Sequence, residues 1–154
     1  MKRCAKRHPL DTVPPTLETL REDHIIQRVL CHDLEMLADG LPALPPLTAI
    51  RRLCDRIDRV VTTHFRRAEA ILGNLPAEQR PGFCSLTELR HMHQMDEVHA
   101  EDLIAALWHY ARQGDESEVG QLAYMLRCFF DGCRRAIALK ESWIAKAGRD
   151  LGYD

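Results

Sequence analysis

Ser85-Leu86-Thr87-Glu88-Leu89-Arg90-His91-Met92-His93-Gln94-Met95-Asp96-Glu97 is the stretch on which the fold turns. Leu86 and Leu89 are followed at helical spacing by His93, Glu97, Ala100, Ile104 and Leu107. That period marks the buried face of an amphipathic helix. Ser85 and Glu88 have the spacing of a capping box, which predicts a helix start there. Gly114 predicts its end, after about Gln113. His93 and Glu97 project from one face, one turn apart, inside a stripe that is otherwise apolar.

The same period extends outward in both directions. A first helix is predicted from about Leu17 to Asp39, after Pro14-Pro15-Thr16 and before Gly40. A proline-rich loop, Leu41 to Leu47, leads to a second helix from about Thr48 to Leu72. The Pro- and Gly-bearing segment from Asn74 to Cys84 separates it from the third. Asp115-Glu116-Ser117-Glu118 caps a fourth helix that reaches about Ala147. No strand pattern and no low-complexity tract is present. Helices of this length are each ~37 Å long at ~1.5 Å per residue. Short connections make sequential helices antiparallel neighbours. The expected fold is all-α, an up-down-up-down antiparallel four-helix bundle.

At 154 residues the chain is one domain with room for a real core. Residues 16–154 are expected to form the bundle. Residues 1–15, which include Lys2-Arg3-Cys4-Ala5-Lys6-Arg7-His8, read as a basic, flexible arm. A net charge of −2 gives no general attraction to nucleic acid or to an anionic membrane, so neither is expected as a partner. No apolar run approaches the ~20 residues needed to span a bilayer. The basic start lacks the apolar stretch of a signal peptide, so a cytoplasmic location is expected. The six cysteines include no CxxC pair, which leaves a zinc-ribbon reading without support. No base-and-orienter set accompanies a thiol, so an enzyme is not expected.

Histidines fall in three of the four seams. His24 lies with Leu17, Leu20, Cys31, Leu34 and Ala38 in the first helix. His64 lies with Ile50, Leu53, Ile57, Val60, Ala68 and Ile71 in the second, and His93 is in the third. Antiparallel packing can bring such groups together at mid-height. Neutral imidazole and carboxylate together suit iron, manganese or zinc. A buried His or Glu needs a partner, because an unpaired polar group costs a few kcal/mol. The alternative for each histidine is a core side chain bonded to protein groups.

With these motifs the chain resembles the hemerythrin family, in its bacterial hemerythrin-like (HHE cation-binding) branch. Glu22-Asp23-His24 resembles the opening motif, His64-Phe65 the second and His93-Gln94-Met95-Asp96-Glu97 the third. Phe129-Phe130-Asp131-Gly132-Cys133-Arg134-Arg135 resembles the lead-in to the fourth. The resemblance covers about Leu17 to Ala147. It implies a four-helix bundle built to hold two carboxylate-bridged non-haem irons that bind or sense a diatomic molecule such as oxygen or nitric oxide. Carried over residue by residue, it marks His24, His64, His93 and Glu97 as metal ligands.

The sequence departs from that pattern at three ligand positions. Ala68 stands where the second helix should carry a carboxylate, Ala136 where the fourth should carry a histidine, and Lys140 where its carboxylate belongs. Glu69 and Glu141 each sit one residue later. A one-residue step turns a side chain ~100° around the helix, off the seam unless the turn is distorted. Of the two, Glu141 fits the family's spacing better. Cys133 could stand in as a thiolate. Lys140 should either pair with Glu97 or snorkel outward along its stem. The expected site is therefore reduced or vestigial, holding one iron, one zinc or no metal. The competing function is a metal-free bundle that binds another protein or a second copy of itself.

Overall fold

The structure, a computed structural model, describes the backbone of residues 15–150 and the side chains of residues 15–147. The basic arm expected over residues 1–15 lies, but for Pro15, outside the described residues. So does Cys4.

Among the described residues every regular element is a helix. Helix α1 spans Leu17–Gly40, α2 spans Leu47–Arg59, α3 spans Phe65–Gly73, α4 spans Phe83–Gln113 and α5 spans Val119–Asp150. A π-helical turn, Val60–His64, joins α2 to α3, so these form one continuous rod. A 3₁₀ turn, Glu116–Glu118, leads into α5. The four rods form the expected all-α bundle. Helix α5 packs along both α1 and α4, and α4 also packs against α2 and α3.

Local chemistry sets most of the ends. The Thr16 N–H donates to Thr19 Oγ1 at 3.2 Å as α1 begins. Asp115 Oδ1 accepts from the Ser117 N–H at 2.7 Å, satisfying a donor ahead of α5. The third rod begins two residues before the predicted Ser85, at Phe83, with Gly82 as its N-cap. Its first turn is therefore not capped by Ser85 and Glu88. Helix α5 runs on through Gly148, where a stop was expected.

The core is divided. One apolar cluster holds Leu30, Leu34, Ile57, Leu103, Leu107, Leu126 and Phe129 among others. A smaller cluster at the opposite end holds Leu20, Ala68, Ile71, Leu72, Leu86, Leu89 and Ile144. Buried polar residues lie between these ends: Asp23, His24, Gln27, His64, His93, Asp96 and Lys140. An interior this polar must be bonded internally, since each unpaired group there costs ~1–3 kcal/mol.

Candidate metal centre

The inward face of α4 follows Leu86, Leu89, His93, Asp96, Ala100, Leu103 and Leu107. These steps alternate between three and four residues, the repeat that keeps a helix against its bundle neighbours. The sequence reading had placed Glu97 and Ile104 on this face. The structure puts both at its half-buried edge, with Asp96 and Leu103 inside. Space for Asp96 comes from α5. A Cβ added at Gly132 would run into the Asp96 carboxylate.

His93 is held on three sides. Its ring stacks on Phe65 with centroids 4.1 Å apart and planes 4° from parallel. Its Nδ1 lies 2.8 Å from Glu69 Oε1, and its Nε2 lies 3.3 Å from Lys140 Nζ. A protonated lysine can only donate. His93 is therefore neutral, with Nδ1–H donating to Glu69 and the Nε2 lone pair accepting from Lys140. Burial and the Lys140 charge hold its pKa down at about 3.

Glu69 reaches His93 across a distorted helix. In the π turn the Phe65 N–H bonds back to the Val60 carbonyl, one residue further than in an α-helix. The wide turn buries Val60 together with Val61, and His64 together with Phe65. It swings the following turn round, so Glu69 meets the seam from its rim. Ala68 keeps its place inside, fully buried. Glu141 also approaches a seam histidine. Its Oε1 is 3.3 Å from His24 Nδ1, while both its oxygens accept from Arg28 at 2.7 Å. Arg28 holds the Glu141 carboxyl below its ordinary range.

Lys140 neither pairs with Glu97 nor snorkels. It is 0 % exposed, and its ammonium sits over the Phe65 ring at 5.6 Å from the centroid. Burial lowers its pKa to about 8. The charges of Asp96, Asp23 and Glu69 act in the other direction and help keep it protonated at neutral pH. Burial likewise raises Asp96 to about 6, and its Oδ2 has no hydrogen-bond partner.

The other two histidines face different neighbours. Gln27 Nε2 lies 3.3 Å from His64 Nδ1, and Asp23 Oδ1 lies 3.7 Å from His64 Nε2. Asp23 is fixed in turn by Arg67, which donates to both of its oxygens at 2.6 and 2.8 Å. His24 is 0 % exposed, and neither ring nitrogen makes a hydrogen bond, the Glu141 approach being poorly aligned. Burial, and after it Lys140, lowers its pKa to about 4. Cys133 does not serve as a thiolate. The neighbouring free thiol of Cys31 and burial push its thiol well up, and Cys31 itself donates to the Phe130 carbonyl at 3.7 Å.

The sequence reading thus missed Asp23, Gln27, Asp96 and the platform made by Phe65. The three-four alternation along α1 and α4 carried the signal for the first three. Phe65 was visible only as part of a motif.

Fold, seam and motif order define a four-helix bundle of the cation-binding kind. A family model, the hemerythrin HHE cation-binding domain, matches residues 16–147. The chain belongs to that family. Searches of curated proteins and of solved structures found no match.

The donor set does not fit the family's pair of irons. Two helices contribute alanine at ligand positions, and the third missing ligand is an ammonium already bonded to His93 Nε2. Among the described residues, no group of three or more His, Cys, Asp or Glu side chains is placed to hold a metal ion. The seam can instead hold one positive charge of its own among carboxylates and neutral imidazoles.

Proposed function

We propose that this chain is a hemerythrin-fold module that works without a metal, the Lys140 ammonium standing in as resident cation, and that it acts by binding protein rather than by catalysis. One observation carries the reading: Lys140 Nζ donates to His93 Nε2, the lone pair that a metal would need. An ammonium at that position repels a second cation and puts one positive charge near Asp96, Asp23 and Glu69. No described helix is long and apolar enough to cross a membrane.

A second reading retains a single iron or zinc on His24, His64, His93 and Glu97, with oxygen or nitric oxide as ligand. The unpartnered ring of His24 favours it, since a fully buried imidazole with two idle nitrogens suits a missing partner. It requires Lys140 to leave His93.

Metal analysis of the purified chain separates the two, before and after anaerobic incubation with iron(II) or zinc(II). The metal-free module is expected to retain far less than one equivalent after desalting. Its melting temperature should ignore chelator. Uptake of one equivalent, with a chelator-sensitive melting temperature, would overturn it.

A further inference from the structure

Two cysteines face each other where α1 packs along α5. Cys31 on α1 and Cys133 on α5 are each 1 % exposed, lie in the larger apolar cluster and are free thiols. The Cys31 Sγ is 3.7 Å from the Phe130 carbonyl oxygen, a backbone atom of the facing helix. An α-helical carbonyl points toward the residue four positions on. An atom that close to the Phe130 oxygen therefore lies alongside Cys133, and the two thiols are neighbours. The same helices are tied at the rim of this contact. Arg134, next to Cys133, donates to Glu35, one turn beyond Cys31, at 2.7 Å.

The two thiols are unlike. A Cys133 S–H turned toward Cys31 favours a thiolate at Cys31 and disfavours one at Cys133, and the Arg134 charge adds to the first effect. The thiolate is the nucleophile and the thiol its resolving partner. Side chains that meet across two packed helices can be joined only where their sulfurs are already close.

We infer that Cys31 and Cys133 form a reversible thiol–disulfide site that hydrogen peroxide closes and a small dithiol reopens. The inference goes beyond the reading above and does not depend on it. The Cys31 thiolate, its proton released to solvent, attacks one oxygen of the peroxide. An S–O bond forms, the O–O bond breaks, and the leaving hydroxide takes a proton to become water. The Cys133 sulfur then attacks Cys31 Sγ. The S–S bond forms, the S–O bond breaks, and the departing hydroxide leaves as water with the Cys133 proton. The thiols give up two electrons and the peroxide takes them. The product joins the first helix to the last. A small, uncharged oxidant suits a pair buried this deeply.

Peptide mapping by mass spectrometry tests this on the full, folded chain after brief exposure to hydrogen peroxide, with and without later dithiothreitol. The expected product is an intramolecular link between the Cys31 and Cys133 peptides, lighter by the two thiol hydrogens and lost on reduction. Cys54 is the internal control, because it too is buried and burial and Asp55 push its thiol up. It should stay reduced while the pair closes. Dimedone, which traps sulfenic acid, reads the order of attack. It should label Cys31 in Cys133→Ser, and label Cys133 roughly tenfold less in Cys31→Ser. A folded chain whose pair stays reduced while Cys54 or the exposed Cys84 oxidises would overturn the inference. So would a link that forms as readily in the urea-unfolded chain, or a trap that prefers Cys133.

Discussion

Lys140 Nζ lies 3.3 Å from His93 Nε2, and Glu69 Oε1 lies 2.8 Å from the other nitrogen of the same ring. A cation, a neutral imidazole and a carboxylate thus form a line across the bundle from α5 through α4 to α3. The imidazole's lone pair points at an ammonium where the family's would point at a metal. On the proposed reading the exchange preserves one positive charge at mid-height.

The charge on Lys140 is not what holds the fold together. Its pKa falls from 10.5 to about 8 because burial disfavours the ammonium. Among the described residues no carboxylate lies within ion-pair distance of Lys140, and its hydrogen-bond partner is the neutral His93, so an apolar side chain of similar volume breaks no buried ion pair. Lys140→Met should therefore keep the melting temperature or raise it. Lys140→Ala, which leaves a cavity, should lose about 2–4 kcal/mol. His24 and His93 should titrate higher in the Met variant, because Lys140 lowers both. A loss above about 2 kcal/mol in Lys140→Met, measured by denaturant unfolding, would show that the ammonium is a structural tie.

Acid should unfold the chain through its histidines. His24 falls from 6.5 to about 4 and His93 from 6.5 to about 3, both chiefly through burial, and His64 is lowered for the same reason. The unfolded chain takes up protons on these rings near 6.5, while the folded chain cannot. Their stabilising contribution is whole above pH 6.5 and is lost as pH falls toward 4 and then 3. Asp96 works in the opposite direction between about 6 and 3.8, and Glu69, also raised by burial, acts with it, two groups against three. Lys140 adds stability as pH rises from about 8 to 10.5, because the folded chain sheds that proton first. Urea midpoints should climb from acid to about pH 9, above which the raised thiols of Cys133 and Cys54 act against Lys140. Lys140→Met should flatten the alkaline rise. A midpoint that peaks near pH 5 would contradict the assignment of neutral buried histidines.

Asp96 and Gly132 should be energetically coupled. A Cβ at Gly132 would meet the Asp96 carboxylate, so Gly132→Ala should cost about 1–3 kcal/mol. Asp96→Ala should cost little, because it removes a buried carboxylate oxygen that has no partner. In the double variant most of the Gly132→Ala cost should vanish. A double-mutant cycle from chemical denaturation measures the coupling. Strict additivity would mean that the two helices separate at this point.

The bundle was legible because hydrophobic period, Pro- and Gly-bearing loops and loop lengths all agree, and each is a local property of the chain. His24, His64 and His93 were legible as interior groups for the same reason. What lay beyond local pattern was the phase of each helix against its neighbours. Asp96 and Glu97 are adjacent, and choosing between them needs a 3.5-residue repeat together with the gap left by Gly132 on α5. The π turn at Val60–His64 carries no composition signal, yet it brings Glu69 to His93. Lys140 was expected to pair with Glu97 or to reach solvent. Its partner is a neutral histidine, a choice made by the full set of surrounding carboxylates and by the Phe65 ring.

If Lys140 has replaced a metal, restoring the family's ligand types should bring metal back. Ala68 and Ala136 are fully or almost fully buried, as is Lys140. Ala68→Glu, Ala136→His and Lys140→Glu together would place two carboxylates and an imidazole in the interior while freeing His93 Nε2. Without metal the triple variant should melt well below the parent chain, because the new carboxylates are buried among apolar side chains and lack partners. Two equivalents of cobalt(II) or iron(II) should restore the melting temperature through binding linkage, in a chelator-reversible way. Cobalt would report the coordination by its visible absorption. A triple variant that stays folded, keeps its melting temperature and takes up no metal would show that these three positions do not converge on one point, and that the seam around Lys140 was not a metal site in a recent ancestor.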